Sequence, residues 1–152
     1  MAEPKYLLDT SVCIRVLAGT APQTVAWLET LAVGEAAVSA ITYAEFLRGE
    51  LPRLGATSQE ELERKMPAQS QSRQFFRQIP VLPFREEEAL AFGQLLARRP
   101  SPGRLRADWL IAAHALSLQL VLVTDNPRDF KRLHPELVIH SLAGIEDEGQ
   151  WP

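Results

Sequence analysis

Four acidic residues occupy comparable positions along the chain, because each follows the end of a predicted strand or lies near the start of a predicted helix. They are Asp9, Glu45, Asp108 and Asp125. Carboxylates held close together repel one another, so their pKa values rise unless a cation lies among them. Oxygen ligands suit Mg²⁺ or Mn²⁺. Such an ion activates water and stabilises a leaving oxygen, and the pattern therefore predicts phosphodiester hydrolysis.

Each acid also has a purely structural interpretation. Asp9 precedes a predicted helix over Val12–Leu17 and could act only as its N-cap. The segment Thr42–Glu45 matches a capping box, in which the glutamate satisfies backbone donors. Asp108 would be stabilised by the helix dipole, and Asp125 begins an Asp-Asn-Pro turn. Only the convergence of the four acids on one place favours catalysis.

Alternating strands and helices predict a parallel sheet that is covered on both sides. Parallel strands end at one edge of a sheet, and ligands bind there, so the acids would gather at that edge. Two prolines place the third predicted strand at the outside of the sheet. The predicted strands are Tyr6–Leu8, Ala36–Ser39, Ile79–Phe84, Leu120–Val123 and Leu137–His140.

Helical patterns separate these strands, of which the fourth is clearly amphipathic and the last is apolar nearly all round and is predicted to be buried. They cover Val12–Leu17, Pro22–Val33, Ile41–Glu50, Arg85–Arg99 and Arg106–Leu118. Residues 51–78 are polar and interrupted by proline, which indicates a variable helical insertion of one or two exposed helices that end at Phe75 and Phe76. We predict a single domain over residues 1–141 and an acidic tail over residues 142–152.

The composition is that of an ordinary globular domain, with 152 residues, 46% hydrophobic and 23% charged. The only cysteine, Cys13, excludes an internal disulfide and indicates a reducing compartment. It lies in an apolar helical pattern, so we expect it to pack. The first residues carry no secretion signal, and no apolar run reaches the ~20 residues of a membrane span. We expect a cytoplasmic protein.

The formal charge of −3 argues mildly against a protein that binds nucleic acid by bulk attraction. If four carboxylates hold metal, however, 16 basic residues face 15 acidic ones, a balance of +1. The basic residues also cluster beside Asp108, where they could meet RNA or an acidic partner protein. The cluster consists of Arg98, Arg99, Arg104 and Arg106.

Four motifs in order carry a resemblance to a known family. They are Leu7–Ser11, Ser39–Glu45, Ala107–Ala115 and Leu122–Phe130. In this order and spacing they closely resemble the PIN-domain ribonucleases, specifically the VapC toxins of type II toxin–antitoxin systems. The resemblance extends over roughly Lys5–His140.

The resemblance implies an α/β fold of three layers, α/β/α, around a parallel sheet of about five strands, and an Mg²⁺- or Mn²⁺-dependent endoribonuclease. It also implies a VapB antitoxin as the partner, which blocks the site. The assembly would be either a homodimer of the toxin or a toxin–antitoxin hetero-oligomer. Asp9, Glu45, Asp108 and Asp125 would form the acidic pocket. Asp9 and Asp108 would be the most direct metal ligands, supported by Glu45, Asp125 and Asp129. The hydroxyls of Thr10, Ser11 and Thr124 could orient carboxylates or water.

Other phosphoryl-transfer classes fit the sequence less well. A haloacid dehalogenase has a second aspartate where this chain has Ser11, and a receiver domain has a lysine after a late strand that neither Lys5 nor Lys131 matches. The remaining alternative is a PIN-like module that binds RNA or a protein without catalysis. Loss of one or more acids would mark such a module, and all four are present.

Overall fold

The structure, a computed structural model, describes residues 1–55, 57–65, 71–98 and 106–142. Its strands form one parallel sheet in the order β3-β2-β1-β4-β5. They are β1 (Tyr6–Leu8), β2 (Ala36–Ser39), β3 (Val81–Leu82), β4 (Val121–Val123) and β5 (Ile139–His140). The predicted α/β class with five parallel strands is confirmed, and β3, which Pro80 and Pro83 flank, lies at an edge as predicted.

The helices of the described residues are α1 (Thr10–Leu17), α2 (Pro22–Glu29), α3 (Ala40–Leu54), α4 (Gln59–Lys65), α5 (Gln71–Gln78), α6 (Glu86–Arg98), α7 (Ala107–Ser117) and α8 (Pro127–Lys131). Helix α2 ends four residues before the predicted Val33, because the chain turns at Thr30, whose hydroxyl donates to the Trp27 carbonyl at 2.6 Å. Helix α3 continues four residues beyond the predicted Glu50.

Apolar side chains pack on both faces of the sheet, and successive residues of β1 point to opposite faces. Leu7 packs with α6 and α7, while Leu8 packs with α1 and α2. Both leucines are fully buried. Cys13 is buried with Leu8, and burial raises the pKa of its thiol, as expected of a packing residue. The helices therefore form layers on either side of the sheet.

Leu142 is also buried against this second face, so the predicted acidic tail begins no earlier than residue 143. Residues 143–152 lie outside the described chain.

Within the predicted insertion, α5 is held to α3 by aromatic packing. Phe76 lies 4.9 Å from both Tyr43 and Phe46, measured between ring centroids, and Phe75 contacts it edge-on. The phenylalanine pair was predicted to end an exposed helix. Instead both rings are half-buried, because they cover the apolar face of α3. Helix α5 also continues beyond the pair to Gln78.

The order of the strands creates a crevice between β1 and β4. The chain passes from β1 to β2 and β3 on one side, then returns to β4 and β5 on the other. Ligands of open α/β sheets bind where the strand order reverses in this way, beyond the carboxyl ends of the strands. Here Asp9 follows β1, and its backbone N–H donates to the carbonyl of Val123 at 3.0 Å.

Among the described residues, no helix is both long and apolar enough to cross a membrane.

Candidate active site

A cleft of about 770 Å³ opens at this edge of the sheet. Its walls carry four carboxylates, from Asp9, Glu45, Asp108 and Asp129. Two guanidinium groups, from Arg48 and Arg106, line the same walls. The cleft is therefore an acidic site with a net formal charge of −2 at neutral pH.

Asp9 is both a helix cap and a cleft residue, so its two interpretations hold together. Its Oδ1 accepts hydrogen bonds from the Val12 backbone N–H at 3.0 Å and from the Ser11 hydroxyl at 2.7 Å. Its Oδ2 accepts one from the Thr124 hydroxyl. Burial raises the pKa of Asp9, these hydrogen bonds oppose the rise, and the nearby charge of Asp125 adds to it. The anion at Asp9 is thus well oriented but incompletely compensated.

Glu45 lies within α3, and the predicted capping box is wrong. The helix begins at Ala40, where the Ser39 hydroxyl accepts the Ile41 backbone N–H at 3.0 Å, so Thr42 cannot be the cap. Instead Glu45 Oε1 accepts a hydrogen bond from the Thr10 hydroxyl at 2.5 Å. This bond ties Glu45 to the residue after Asp9.

Asp108 lies in the first turn of α7 and is paired with the arginine that precedes the helix. Arg106 Nη2 and Asp108 Oδ2 are 2.8 Å apart, and Arg106 Nε also donates to Oδ1 at 3.2 Å. Of the predicted basic cluster, Arg106 alone among the described residues reaches the cleft wall. Arg98 is exposed at the end of α6, while Arg99 and Arg104 lie outside the described residues.

Asp125 is placed differently from the other acids. Its side chain faces α1, where Oδ2 lies 3.1 Å from Arg15 Nη1, and it does not line the cleft. Asp129, in α8, lines the cleft instead, and its Oδ2 accepts a hydrogen bond from the Asn126 side chain at 2.6 Å. The structure therefore brings together Asp9, Glu45, Asp108 and Asp129.

Two cleft residues with a charged or amide side chain were not among the predicted site residues. Arg48 follows Glu45 by three positions, and that helical spacing was the available signal for a shared face. Asn126 belongs to the turn after β4, and its sequence indicated only a turn. Its backbone N–H donates to the Thr124 hydroxyl at 3.0 Å, which helps to direct that hydroxyl toward Asp9.

The donor chemistry of the cleft fits a hard divalent cation, because every candidate ligand is a carboxylate oxygen. Burial raises the pKa of Asp9, and a cation beside it would favour the anionic form. However, no three acidic, histidine or cysteine side chains of the described chain are arranged to hold an ion together. Asp108 is instead paired with Arg106.

Comparison with known proteins identifies the family. Residues 6–134 match the model of the PIN domain. Ribonuclease VapC2 of Haemophilus influenzae is 32% identical over 131 residues, which cover 85% of this chain and 92% of that protein. This chain belongs to the PIN-domain family, among the VapC proteins. The tRNA(fMet)-specific endonuclease VapC of Shigella flexneri is 30% identical over the same shares of the two chains.

Solved structures of VapC proteins have the same fold. The DNA-bound VapBC of Salmonella typhimurium superposes with a TM-score of 0.69 at 30% identity, covering 91% of this chain and 98% of that one. VapBC2 of Rickettsia felis, bound to a promoter DNA fragment, superposes with a TM-score of 0.68 at 26% identity, covering 90% and 97%. The predicted family resemblance is confirmed.

Proposed function

We propose that this VapC protein is a divalent-metal-dependent endoribonuclease and the toxin of a type II toxin–antitoxin pair. The observation that carries this proposal is the convergence of four carboxylates on one cleft at the strand-order reversal. Membership of a family with members named as ribonucleases supports RNA as the substrate.

In this proposal two of the carboxylates would bind the metal ion directly and the other two would support it. Asp9 and Asp108 would hold the cation, with Glu45 and Asp129 beside them. Bound Mg²⁺ or Mn²⁺ would supply a Lewis acid that activates water and offsets negative charge on the phosphate. The metal and carboxylates together remove the need for a histidine base.

The hydroxyl groups orient the carboxylates. Ser11 and Thr124 bond the two oxygens of Asp9 and favour its anionic form. Thr10 fixes one oxygen of Glu45, so that the other oxygen can accept a hydrogen bond from water. Metal ligation by Asp125 remains a prediction, to which the structure adds the alternative of an ion pair with Arg15.

The proposed partner is a VapB-type antitoxin that covers the cleft, in a toxin–antitoxin hetero-oligomer or together with a toxin homodimer. The VapBC structures of Salmonella typhimurium and Rickettsia felis support this partner by analogy. We place the protein in the cytoplasm, and its lone buried cysteine is compatible with a reducing compartment.

The test is cleavage of end-labelled transfer RNA and messenger RNA by the purified protein, with Mn²⁺ or with a chelator. We expect cleavage only with metal, and loss of at least about a hundredfold in Asp9→Ala and Asp108→Ala proteins that keep the circular dichroism spectrum of the fold. Cleavage by folded, chelator-treated protein would refute the metal mechanism. RNA binding without any cleavage would favour the non-catalytic module.

A further inference from the structure

The charge of the cleft poses a problem for an RNA substrate. The four carboxylates outnumber the two guanidinium groups, leaving a formal charge of −2. One divalent cation would bring the cleft to neutrality but would leave no surplus to attract the phosphates on either side of the cleaved bond. Backbone phosphates are bound mainly by lysine and arginine side chains. A guanidinium on the cleft wall that is not already paired with a carboxylate is therefore the group best suited to bind such a phosphate.

The two arginines of the cleft differ in what they already contact. Arg106 is paired with Asp108 through both its Nε and its Nη2. Arg48 is exposed and, within the described part of the chain, makes no ion pair and no side-chain hydrogen bond. Its guanidinium is thus the one on the described cleft wall that remains available to an incoming anion.

The position of Arg48 is fixed relative to the carboxylates. It lies one helical turn beyond Glu45 on α3, so both side chains project from the same face of that helix. Helix α3 is anchored to the sheet by the Ser39 cap and to α1 by the bond between Thr10 and Glu45. A phosphate held by Arg48 would consequently lie beside the acidic cluster.

We propose that Arg48 is a substrate-positioning residue that binds a backbone phosphate of RNA next to the bond that is cleaved. The inference rests on the proposed ribonuclease function. A guanidinium suits this role because its planar fork can donate two parallel hydrogen bonds to phosphate oxygens, which an ammonium group cannot.

The first test is RNA binding, measured by fluorescence anisotropy of a labelled single-stranded RNA over a range of salt concentrations. An Asp9→Asn parent prevents cleavage and keeps a side chain that can cap α1. Adding Arg48→Gln should weaken binding roughly fivefold at low salt and reduce the salt slope by about 0.7, the value for one lost contact on a single strand. Arg48→Lys should restore the salt slope but only part of the affinity.

The matched control is Arg77→Gln, because Arg77 is exposed in the last turn of α5, which leads to the opposite, amino end of the sheet. This variant should bind RNA like the parent. In the otherwise unsubstituted enzyme, Arg48→Gln should raise KM several-fold with a smaller change in kcat, since a lost binding contact acts mainly on KM.

Equal RNA affinity and equal salt slope in the Arg48→Gln and Arg77→Gln proteins would overturn the inference while leaving the ribonuclease proposal intact. The same holds if Arg48→Gln weakens only antitoxin binding, which would assign Arg48 to the protein partner. If the parent binds no RNA and the unsubstituted protein cleaves none, the proposed function and this inference both fail.

Discussion

Arg106 and Asp108 are joined by two hydrogen bonds at the start of α7, from Nε to Oδ1 at 3.2 Å and from Nη2 to Oδ2 at 2.8 Å. The arginine side chain is 54% exposed and the carboxylate 25%, so solvent weakens their attraction. Exposed pairs of this kind contribute about 0–1 kcal/mol. Asp108 therefore already has a positively charged partner, but one that a divalent cation can displace.

Replacing that partner should make metal binding tighter. In an Arg106→Gln protein, metal binding no longer has to break the ion pair between Asp108 and a guanidinium. We therefore expect Mn²⁺ affinity to rise by roughly two- to fivefold. Isothermal titration calorimetry measures this directly, with Arg98→Gln as the control because Arg98 is exposed and away from the cleft wall. Unchanged or weaker Mn²⁺ binding in Arg106→Gln would show that the pair does not compete with the metal.

Removing either partner of the ion pair between Arg15 and Asp125 should lower the free energy of unfolding, and removing Arg15 should lower it more. The carboxylate is only 13% exposed and the arginine 35%. Arg15→Gln leaves a nearly buried charge without its partner and should cost about 2 kcal/mol of unfolding free energy, whereas Asp125→Asn should cost about 1 kcal/mol. Urea denaturation of both single variants and the double variant measures the coupling.

Two aspartate-to-asparagine variants separate the acids that follow β4. We expect Asp129→Asn to weaken Mn²⁺ binding, because Asp129 lines the cleft, and Asp125→Asn to leave it closer to that of the unsubstituted protein. The reverse order would return Asp125 to the metal-binding set predicted from sequence.

Thr124 should set the pH range in which Asp9 is anionic. Burial raises the pKa of Asp9, and the hydrogen bond from Thr124 opposes that rise. Thr124→Val removes a donor that favours the anion, so the acid limb of Mn²⁺ binding should move to higher pH. Calorimetric titrations across a pH series measure the limb, with Thr57→Val as a control at an exposed hydroxyl. An acid limb of Mn²⁺ binding that stays at the same pH would show that Thr124 does not influence the protonation of Asp9.

His114 should make the fold less stable in acid. Its ring is fully buried, Nδ1 lies 2.8 Å from the Ser39 hydroxyl, and Nε2 has no hydrogen-bond partner among the described residues. Burial lowers the pKa of His114 below its usual 6.5, although Glu88 partly opposes this. The unfolded chain therefore binds the proton first, and stability falls as the pH drops below about 6.5.

His114→Asn should flatten this dependence, because its amide can still bond Ser39 but does not titrate. Urea denaturation at a series of pH values gives the slopes for both proteins. Burial raises the pKa of Glu88, but hydrogen bonds from the Arg85 backbone and from Ser117 outweigh it and hold the pKa below its usual value. Protonation of Glu88 therefore lowers the stability of both proteins at more acidic pH. Identical slopes of stability against pH in the two proteins would show that His114 does not cause the dependence.

The sequence alone was sufficient for the sheet and named all four cleft acids, although it gave Asp129 only as a supporting metal ligand. Buried strands such as Tyr6–Leu8 are uninterrupted apolar runs, and an acid directly after such a strand in an alternating α/β pattern lies at a defined edge. Glu45 and Asp108 were also located by the helices that carry them. These features are local, so the sequence pattern determines them.

The remaining features depend on side-chain contacts that a sequence pattern does not show. The choice between Asp125 and Asp129 follows from an arginine on α1, which no pattern around β4 could reveal. The start of α3 was misplaced because Ser39, at the end of a strand, also serves the helix as a hydrogen-bond acceptor. Likewise, the pairing of Asp108 with Arg106 requires side-chain directions that sequence spacing does not give.

The claim on which this account depends is that the cleft carboxylates hold a divalent cation. Calorimetric titration of Mn²⁺ near neutral pH tests it with the unsubstituted protein, Asp9→Asn, and Glu29→Gln as a control at an exposed carboxylate away from the cleft. We expect saturable binding that Asp9→Asn weakens by at least about tenfold and that Glu29→Gln leaves unchanged. No saturable binding by the folded protein, or equal affinity in Asp9→Asn, would contradict the account.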